Sequence, residues 1–355
     1  MSLYPGFSTD RMDAIFSLSS RVSAMCSVEA AVATAQGAAG DIPGDAANAI
    51  VTACAEPVDV EILADGWRVG TPVLGLIDAL RQRLPDDARP FLHQALTTQD
   101  VVDTATMILI VDALQHLTEL AHGAAQAMHD TIARFGDIAT PARSFLQSAD
   151  VTTVGFRTAR WLDQLNLVRK RSVWAPAQFG GLIGDRMGIS DEVAAAACRH
   201  LHLDVGRPWH TNRAPIIALV DVATEYARWA DKVGGDIAQL VQLGEITTRA
   251  GGSSAAAGKR NPIDAMRATA AAEACLGVST VVTHGKPHEL ERGIGSWHAE
   301  WFAVPLVFQT AGAAMEAIGA ALMSLEVEPS ALVVADDRRA AADAYVTSVL
   351  ENSLA

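Results

Sequence analysis

The sequence has few cations and few cysteines for its length. Lysine and arginine number 27 against 41 aspartate and glutamate residues in a chain of 355, so the formal charge is −14. A surface this acidic repels phosphate backbones, which argues against DNA and RNA as partners. The four cysteines, Cys26, Cys54, Cys198 and Cys275, form no C-x-x-C pair. We therefore expect the reduced thiols of a cytoplasmic protein, with no disulfide framework and no bound metal.

The N-terminus lacks a basic flank followed by an apolar run, so no signal peptide is expected. The most apolar long window, Trp301 to Met323, contains Pro305, Gln309 and Glu316, which a membrane span would have to bury. A core helix explains this window better, and no membrane association is expected. Half of the residues are hydrophobic and 19% are charged, a composition that excludes extensive disorder.

The dominant pattern along the chain is helical, since alternating period-two patterns are nearly absent. Apolar residues at helical spacing predict helices over 101–135, 152–169, 215–247, 263–283, 297–325 and 336–350. At ~1.5 Å per residue the longest are rods of roughly 45–50 Å. Rods of this length form bundles in which neighbours bury each apolar stripe, so the predicted fold class is all-α.

The same patterns divide the chain into an N-terminal helical region (1–98), a central long-helix bundle (99–325) and a short C-terminal tail helix (326–355). Several stripes in the central region are apolar nearly all round and rich in alanine. One subunit of 37.4 kDa would struggle to cover them. We therefore predict a homo-oligomer in which subunits share the bundle.

A low-complexity stretch, residues 251–258, is followed by Lys259, Arg260, Asn261 and Pro262. Glycine and serine cannot extend the preceding helix, so this stretch is predicted to be a mobile loop. Asn261 is a good N-cap and Pro262 fits a first turn, so a helix is predicted to start there. A helix N-terminus with two cations suits a carboxylate ligand, although a flexible linker explains the composition as well. A P-loop does not fit, because the flanking glycines are one residue too far apart.

Three motifs in order resemble the fumarase/aspartase superfamily. Residues 252–262, GSSAAAGKRNP, resemble its signature loop G-S-S-x-M-P-x-K-x-N-P. Residues 93–104, HQALTTQDVVDT, are similar to its H-x-G-x-T-S-x-D-x-x-D-T region, and residues 141–149, PARSFLQSA, to its G-R-T-x-x-Q-x-A region. The resemblance runs from about residue 10 to about residue 325. It implies a long central helical bundle of the fumarase/aspartase type.

Two further segments are similar to the 3-carboxy-cis,cis-muconate cycloisomerase branch of that superfamily. Residues 291–301, ERGIGSWHAEW, resemble its E-R-x-x-G-x-W-H-A-E-W stretch, and residues 208–213, PWHTNR, resemble its P-W-H-T-Q-R. Phe145 and Leu146 stand where fumarate-releasing lyases usually carry a histidine, which the cycloisomerases also lack. This branch implies a cofactor-free lactonisation of 3-carboxy-cis,cis-muconate or its 3-sulfo analogue.

The chain departs from the resembled pattern at several positions. Ala256 and Ala257 replace the Met-Pro pair of the signature loop, and Leu290 replaces a histidine before Glu291. The C-terminal domain of the superfamily is expected to be truncated. Two alternatives therefore stay open beside the cycloisomerase: a lyase that releases fumarate by β-elimination, and a non-catalytic helical assembly.

The resemblance assigns site residues position by position. Ser253 is expected to carry a proton to or from carbon, helped by Lys259, and His93 is a second acid–base group, since histidine titrates near neutral pH. Arginine side chains can hold carboxylates in a two-point fork. The substrate-binding residues implied are Ser254, Asn261, Thr97, Thr98, Gln99, Arg143, Gln147, Arg292 and His298. The implied partners are a di- or tricarboxylate substrate and further copies of the chain, as a tetramer with shared active sites.

Some of these residues also have structural interpretations. Thr97 fits a helix N-cap, and Arg292 fits a surface ion pair with Glu289 or Glu291. His298 fits the core or an interface between subunits as well as a substrate contact.

Overall fold

The computed structural model describes residues 5–61, 66, 70–254, 256, 258–286 and 288–353. Helices dominate these residues, which confirms the predicted all-α class. The helices are α1 (Asp10–Ile15), α2 (Leu18–Ala39), α3 (Gly44–Ala55), α4 (Pro72–Arg81), α5 (Thr98–Phe135), α6 (Val154–Arg169), α7 (Asp191–Leu201), α8 (Ala214–Gln242), α9 (Ile263–Thr283), α10 (Ser296–Met323) and α11 (Asp336–Ser353). The short strands are β1 (Ala139–Ser144), β2 (Gln147–Thr153), β3 (Ile246–Thr247), β4 (Ala250–Gly251), β5 (Asn261–Pro262) and β6 (Glu326–Val327).

Four long helices form the centre of the molecule. α5 has 38 residues, so at ~1.5 Å per residue it is roughly 57 Å long. α9 packs along both α8 and α10, and α10 packs along α5. Small side chains allow these close approaches: an added Cβ at Gly234 would lie 3.1 Å from the carbonyl oxygen of Ala265 on the neighbouring helix. Gly234 therefore lets α8 approach α9 closely, and the small buried alanines of α9 allow the same close packing of neighbouring helices.

The predicted helices are all present, with ends that differ from the predicted ones by up to five residues. The helix predicted to reach residue 247 ends at Gln242, because Gly244 follows in the left-handed region (φ 70°) and β3 then pairs with β6. The helix predicted from residue 152 begins at Val154, where the hydroxyl of Thr153 caps it. The division into regions 1–98, 99–325 and 326–355 stays a prediction.

A β-hairpin formed by β1 and β2 is the main element that the sequence patterns do not predict. The strands pair antiparallel with an irregularity between Ala142 and Arg143. Phe145 and Leu146 form the turn with φ angles of 51° and 62°, and they are 97% and 69% exposed. Because the part of the hairpin around its turn, residues 144–150, is exposed, it does not need the alternation of apolar and polar residues that marks a half-buried strand.

A buried ion cluster joins three segments near the start of α5. Arg213, which precedes α8, donates to Asp103 of α5 at 2.6 Å and to Glu300 of α10 at 3.0 Å. The indole nitrogen of Trp297 also donates to Asp103, at 2.9 Å. Burial lowers the pKa of Arg213, but the two carboxylates outweigh burial and raise it above its ordinary value. The three charged groups are therefore held together in an environment with little solvent screening.

A second buried carboxylate, Asp100, organises the chain before α8. It accepts hydrogen bonds from the backbone nitrogens of Gly180 at 2.7 Å and Gly181 at 2.9 Å. It also accepts from the backbone nitrogen of Thr97 at 3.0 Å, and the ring of His210 lies 3.2 Å away. Hydrogen bonds from several N–H donors offset the cost of burying a carboxylate. Asp100 therefore fixes the start of α5 against the segment at residues 178–210, which contains α7.

Among the residues that the structure describes, two helices, α5 and α10, have the length and apolar composition of a membrane span. Their most apolar windows are 61% and 67% buried inside the molecule, respectively. These helices also carry Asp103 and Glu300, whose charges are satisfied by Arg213. Both observations fit core helices of a bundle, as predicted for the window from Trp301 to Met323.

We expect Arg213→Gln to lower the free energy of unfolding by about 3–5 kcal/mol, because it leaves two buried carboxylates without a cation. Urea unfolding followed by circular dichroism measures the change. Arg207→Gln removes an exposed arginine from the same segment and should change stability by less than about 0.5 kcal/mol. Similar losses in both variants would contradict a stabilising role for the buried cluster.

Candidate active site

The N-terminal end of α5 gathers six of the predicted site residues. Thr97 is the N-cap residue of α5, which confirms the helix-cap interpretation of this residue. Arg292 donates to the hydroxyl of Thr97 at 2.9 Å and to the carbonyl of Leu182 at 3.1 Å. Among the described residues its guanidinium forms no ion pair with the neighbouring glutamates. Thr97 therefore serves both as a cap and as a contact of Arg292.

The other residues of this group lie around the same helix end. Thr98 shares a hydrogen bond of 2.9 Å with the hydroxyl of Thr71. The ring of His298 is half-buried, with Nε2 lying 3.4 Å from the carbonyl oxygen of Gly70. Gln99 differs, because it is fully buried and its amide nitrogen donates to Asp103 at 3.0 Å. In the single chain Gln99 supports the ion cluster, and its role in binding substrate stays a prediction.

His93 is oriented by a buried carboxylate. Its Nδ1 lies 2.6 Å from Oε1 of Glu29, whose side chain is 1% exposed, and its backbone is left-handed with φ 61°. Burial lowers the pKa of His93, but the hydrogen bond and charge of Glu29, with the charge of Asp100, raise it above its ordinary value. Because Nδ1 is engaged by Glu29, Nε2 is the nitrogen that can exchange a proton with a ligand.

Arg143 and Gln147 lie on the hairpin, beyond the opposite end of α5. The guanidinium of Arg143 donates to Glu245, which also accepts from the hydroxyl of Thr140 at 3.1 Å. Burial raises the pKa of Glu245, but its hydrogen bonds and the nearby arginines lower it below its ordinary value. Gln147 is exposed on β2. Arg143 is therefore already paired within the chain, whereas Gln147 faces solvent.

The glycine-rich loop is closed at its base by pairing of β4 with β5. The side-chain nitrogen of Asn261 donates to the carbonyl of Gly252 at 3.1 Å, and the backbone nitrogen of Ala256 donates to Ser253 Oγ at 3.2 Å. Ser253 is half-buried, whereas Ser254 and Lys259 are exposed. The loop thus presents its polar side chains from a small, hydrogen-bonded base.

The prediction that Asn261 caps a helix is wrong. α9 begins at Ile263 after Pro262, with no side-chain cap. Asn261 is a strand residue instead, because its backbone pairs with Gly251 and its amide closes the loop. The N-cap position is therefore Pro262, one residue later than predicted, while the helix spans Ile263–Thr283, as the helical spacing predicts. Ala257, one of the two departures in this loop, lies outside the described residues.

The predicted site residues therefore form two groups at opposite ends of the rods. Trp297, at the start of α10, contacts Asp103 near the start of α5. Ser324, just beyond the end of α10, accepts from the backbone nitrogen of Arg249 beside β4. The 28 residues of α10 span roughly 42 Å at ~1.5 Å per residue. One chain consequently does not bring Ser253 to Arg292.

Several polar residues at the first group escape the sequence analysis as functional candidates. Asp103, Arg213 and Glu300 contribute, beside the predicted residue His298, to the lining of a mostly apolar cavity of about 360 Å³. Each stands inside a motif that carries the resemblance, but the motif does not tell a substrate contact from an internal ion pair. In the described part of the chain, no group of three or more His, Cys, Asp or Glu residues is arranged to hold a metal ion.

Comparison with known proteins adds sequence and fold similarity to this geometry. The signature of a lyase family matches residues 6–277 of the chain. A 3-carboxy-cis,cis-muconate cycloisomerase of Pseudomonas aeruginosa is 33% identical over 338 residues, which cover 89% of this chain and 73% of that protein.

Solved structures agree with this similarity. The 3-carboxy-cis,cis-muconate lactonizing enzyme from Pseudomonas putida has a TM-score of 0.83 and 29% identity, covering 91% of this chain and 76% of that one. A fumarate lyase from Mesorhizobium sp. BNC1 has a TM-score of 0.84 and 28% identity, covering 95% of this chain and 78% of that one. The long helical bundle of the fumarase/aspartase type is thereby confirmed.

We expect Glu29→Gln to lower the pKa of His93, because it removes the carboxylate that outweighs burial. Imidazole NMR titration measures the shift.

Since the folded pKa of His93 is raised, the His93–Glu29 pair stabilises the fold below the unfolded value of about 6.5, and this contribution is lost as pH rises through the folded pKa. Glu29→Gln should remove this pH dependence. Glu56→Gln, which removes an exposed carboxylate, is the control, and an unchanged His93 pKa in Glu29→Gln would contradict the assignment.

Proposed function

Because the chain belongs to the lyase family, we propose that it is a cofactor-free cycloisomerase that lactonises 3-carboxy-cis,cis-muconate, with the 3-sulfo analogue as a second substrate. The observation that carries this proposal is the 33% identity to a 3-carboxy-cis,cis-muconate cycloisomerase across 89% of the chain. The reaction would belong to the protocatechuate branch of aromatic degradation in the cytoplasm, within the β-ketoadipate pathway.

The chemistry is an internal addition in which no atom is lost. A carboxylate oxygen of the substrate forms a bond to an alkene carbon, and the adjacent carbon takes a proton. Negative charge develops as an aci-carboxylate beside that carbon. The protein must therefore stabilise this charge and deliver a proton to carbon.

Ser253 is the proposed proton carrier, with Lys259 as the cation that offsets the developing charge. Ser253 is half-buried in a loop that is tied at its base by Asn261, so its hydroxyl is presented on a defined turn. Ser254 and Asn261 are proposed to bind substrate from the same loop. α9 starts at Ile263, so the partial positive charge of its N-terminus comes from backbone N–H groups that follow Asn261 in the sequence.

The first group of residues is proposed to hold the substrate carboxylates. Arg292 is positioned by Thr97, and Thr98 and His298 lie at the same helix end. His93, with its raised pKa, is proposed as the second acid–base group. Further substrate contacts are proposed for Gln99, Arg143 and Gln147.

The distance between the two groups supports an oligomer. We propose a tetramer in which the Ser253 loop of one subunit meets the Arg292 group of another. Large exposed apolar side chains on the hairpin and on α10 support contact between subunits, among them Phe145 at 97% and Phe302 at 67% exposed. The long helices keep the two groups apart within one chain. In the proposed tetramer, the group of one chain would meet the other group of a neighbouring chain.

A second candidate function is a β-elimination lyase that releases fumarate, which the structural similarity to a fumarate lyase favours. Phe145 and Leu146, which stand where such lyases usually carry histidine, favour the cycloisomerase. The loss of muconate absorbance, with product analysis for fumarate, separates the two functions. Consumption of 3-carboxy-cis,cis-muconate to a lactone without fumarate is expected.

We expect Ser253→Ala to lower kcat by about 10²–10⁴-fold, because a positioned proton carrier is lost. The muconate absorbance assay measures the rate. Ser27→Ala, which removes an exposed helical hydroxyl bonded to its own helix, is the matched control and should keep full activity. Full activity in Ser253→Ala would remove this residue from the mechanism.

We expect mixed assembly of two inactive variants to restore activity if sites are shared. Ser253→Ala and Arg292→Gln, refolded together in equal amounts, should leave about a quarter of the sites with both native side chains. The absorbance assay on the mixture, with each variant refolded alone as the control, measures the recovery. A mixture as inactive as its components would contradict sites built from two chains.

A further inference from the structure

A cationic cavity of about 400 Å³ lies between the hairpin, α6 and α8. Its lining contains Arg143, Arg157, Arg160 and Lys232 but a single carboxylate, Asp236. The whole chain carries a formal charge of −14, so this concentration of positive charge is a local exception. A cavity lined by one sign of charge favours a ligand of the opposite sign.

Three of the four cations already have carboxylate partners. Glu245 pairs with Arg143 and lies 3.5 Å from Arg157, and Lys232 pairs with Asp236. The lowered pKa of Glu245 keeps its carboxylate charged at neutral pH. These three cations therefore have internal partners that compete with a ligand.

Arg160 is the fourth cation, and its position is held without a carboxylate. It lies one turn after Arg157 on α6, with its guanidinium carbon 6.0 Å from the ring centroid of Phe156. Phe156 packs edge-on against Tyr345 of α11 at 5.1 Å. In the part of the chain that the structure describes, no carboxylate forms an ion pair with Arg160. An exposed guanidinium on an aromatic support is thus available to an anion.

We propose that Arg160 binds the acidic substituent on carbon 3 of the substrate, the group that 3-carboxymuconate has and cis,cis-muconate lacks. This inference rests on the proposed function and adds a specificity-determining residue to it. A guanidinium accepts either a carboxylate or a sulfonate through two parallel N–H donors. Arg160 borders the same cavity as Arg143, but no glutamate competes for it.

Two inert anions test the assignment apart from turnover. Tricarballylate carries a central carboxylate that glutarate lacks. Arg160→Gln should weaken tricarballylate binding about tenfold, at the lower end of what a charge-assisted hydrogen bond contributes, and change glutarate binding by less than about twofold. Isothermal titration calorimetry on the assembled protein measures both. Arg160→Lys should give an intermediate loss, since lysine keeps the charge but not the fork.

Kinetics supply a second readout. Arg160→Gln should raise KM for 3-carboxy-cis,cis-muconate about tenfold with kcat within about twofold, as for a contact made equally in the ground and transition states. Arg199→Gln removes an exposed arginine on α7 and is the matched control for net charge. Equal losses for tricarballylate and glutarate, or no loss for either, would overturn the assignment. Selective loss of tricarballylate binding in a protein that does not consume 3-carboxymuconate would support the subsite while refuting the proposed function.

Discussion

The pairing of Arg213 with Asp103 and Glu300 is the interaction on which the rest of the structure depends. Charges this deeply buried are tolerated only when each has a partner, so the three segments that carry them must meet in one arrangement. That arrangement sets the start of α5 against the starts of α8 and α10. The residues that surround this helix end, including Thr97 and Arg292, take their positions from it.

The length of the rods is the second constraint. A helix keeps its two ends apart by a distance that its residue count determines, and α5 and α10 are too long for side chains to bridge. Within one chain, the Ser253 loop and the Arg292 group therefore lie at opposite ends of the long helices. The proposed assembly of sites between chains follows from this separation, and the exposed apolar residues of the hairpin and α10 are consistent with it.

Whether an element of this fold can be predicted from the sequence depends on how much of it is buried and on which contacts it makes. Helical periodicity is strong over long segments that bury one face, so the rods were predictable to within a few residues. Residues 144–150 of the β1–β2 hairpin are exposed and carry no such pattern, so periodicity does not predict the hairpin. Asn261 has the chemistry of an N-cap, but its amide and backbone are used to close the loop on Gly252 and Gly251. The N-cap preference of Asn261 is overridden by these contacts, which form only when the two sides of the loop come together in the folded chain.

The amino-acid order alone determined the helical class, the length of the rods and the motifs that carry the family resemblance, because these depend on spacing between near neighbours. Folding in three dimensions decided which motif residues stabilise the interior and which face a cavity or solvent. Asp103 and Arg213 pair across 110 positions, whereas Arg160 has no such carboxylate among the described residues and faces a cavity. Such distant pairings follow from how the helices pack, which local periodicity does not encode.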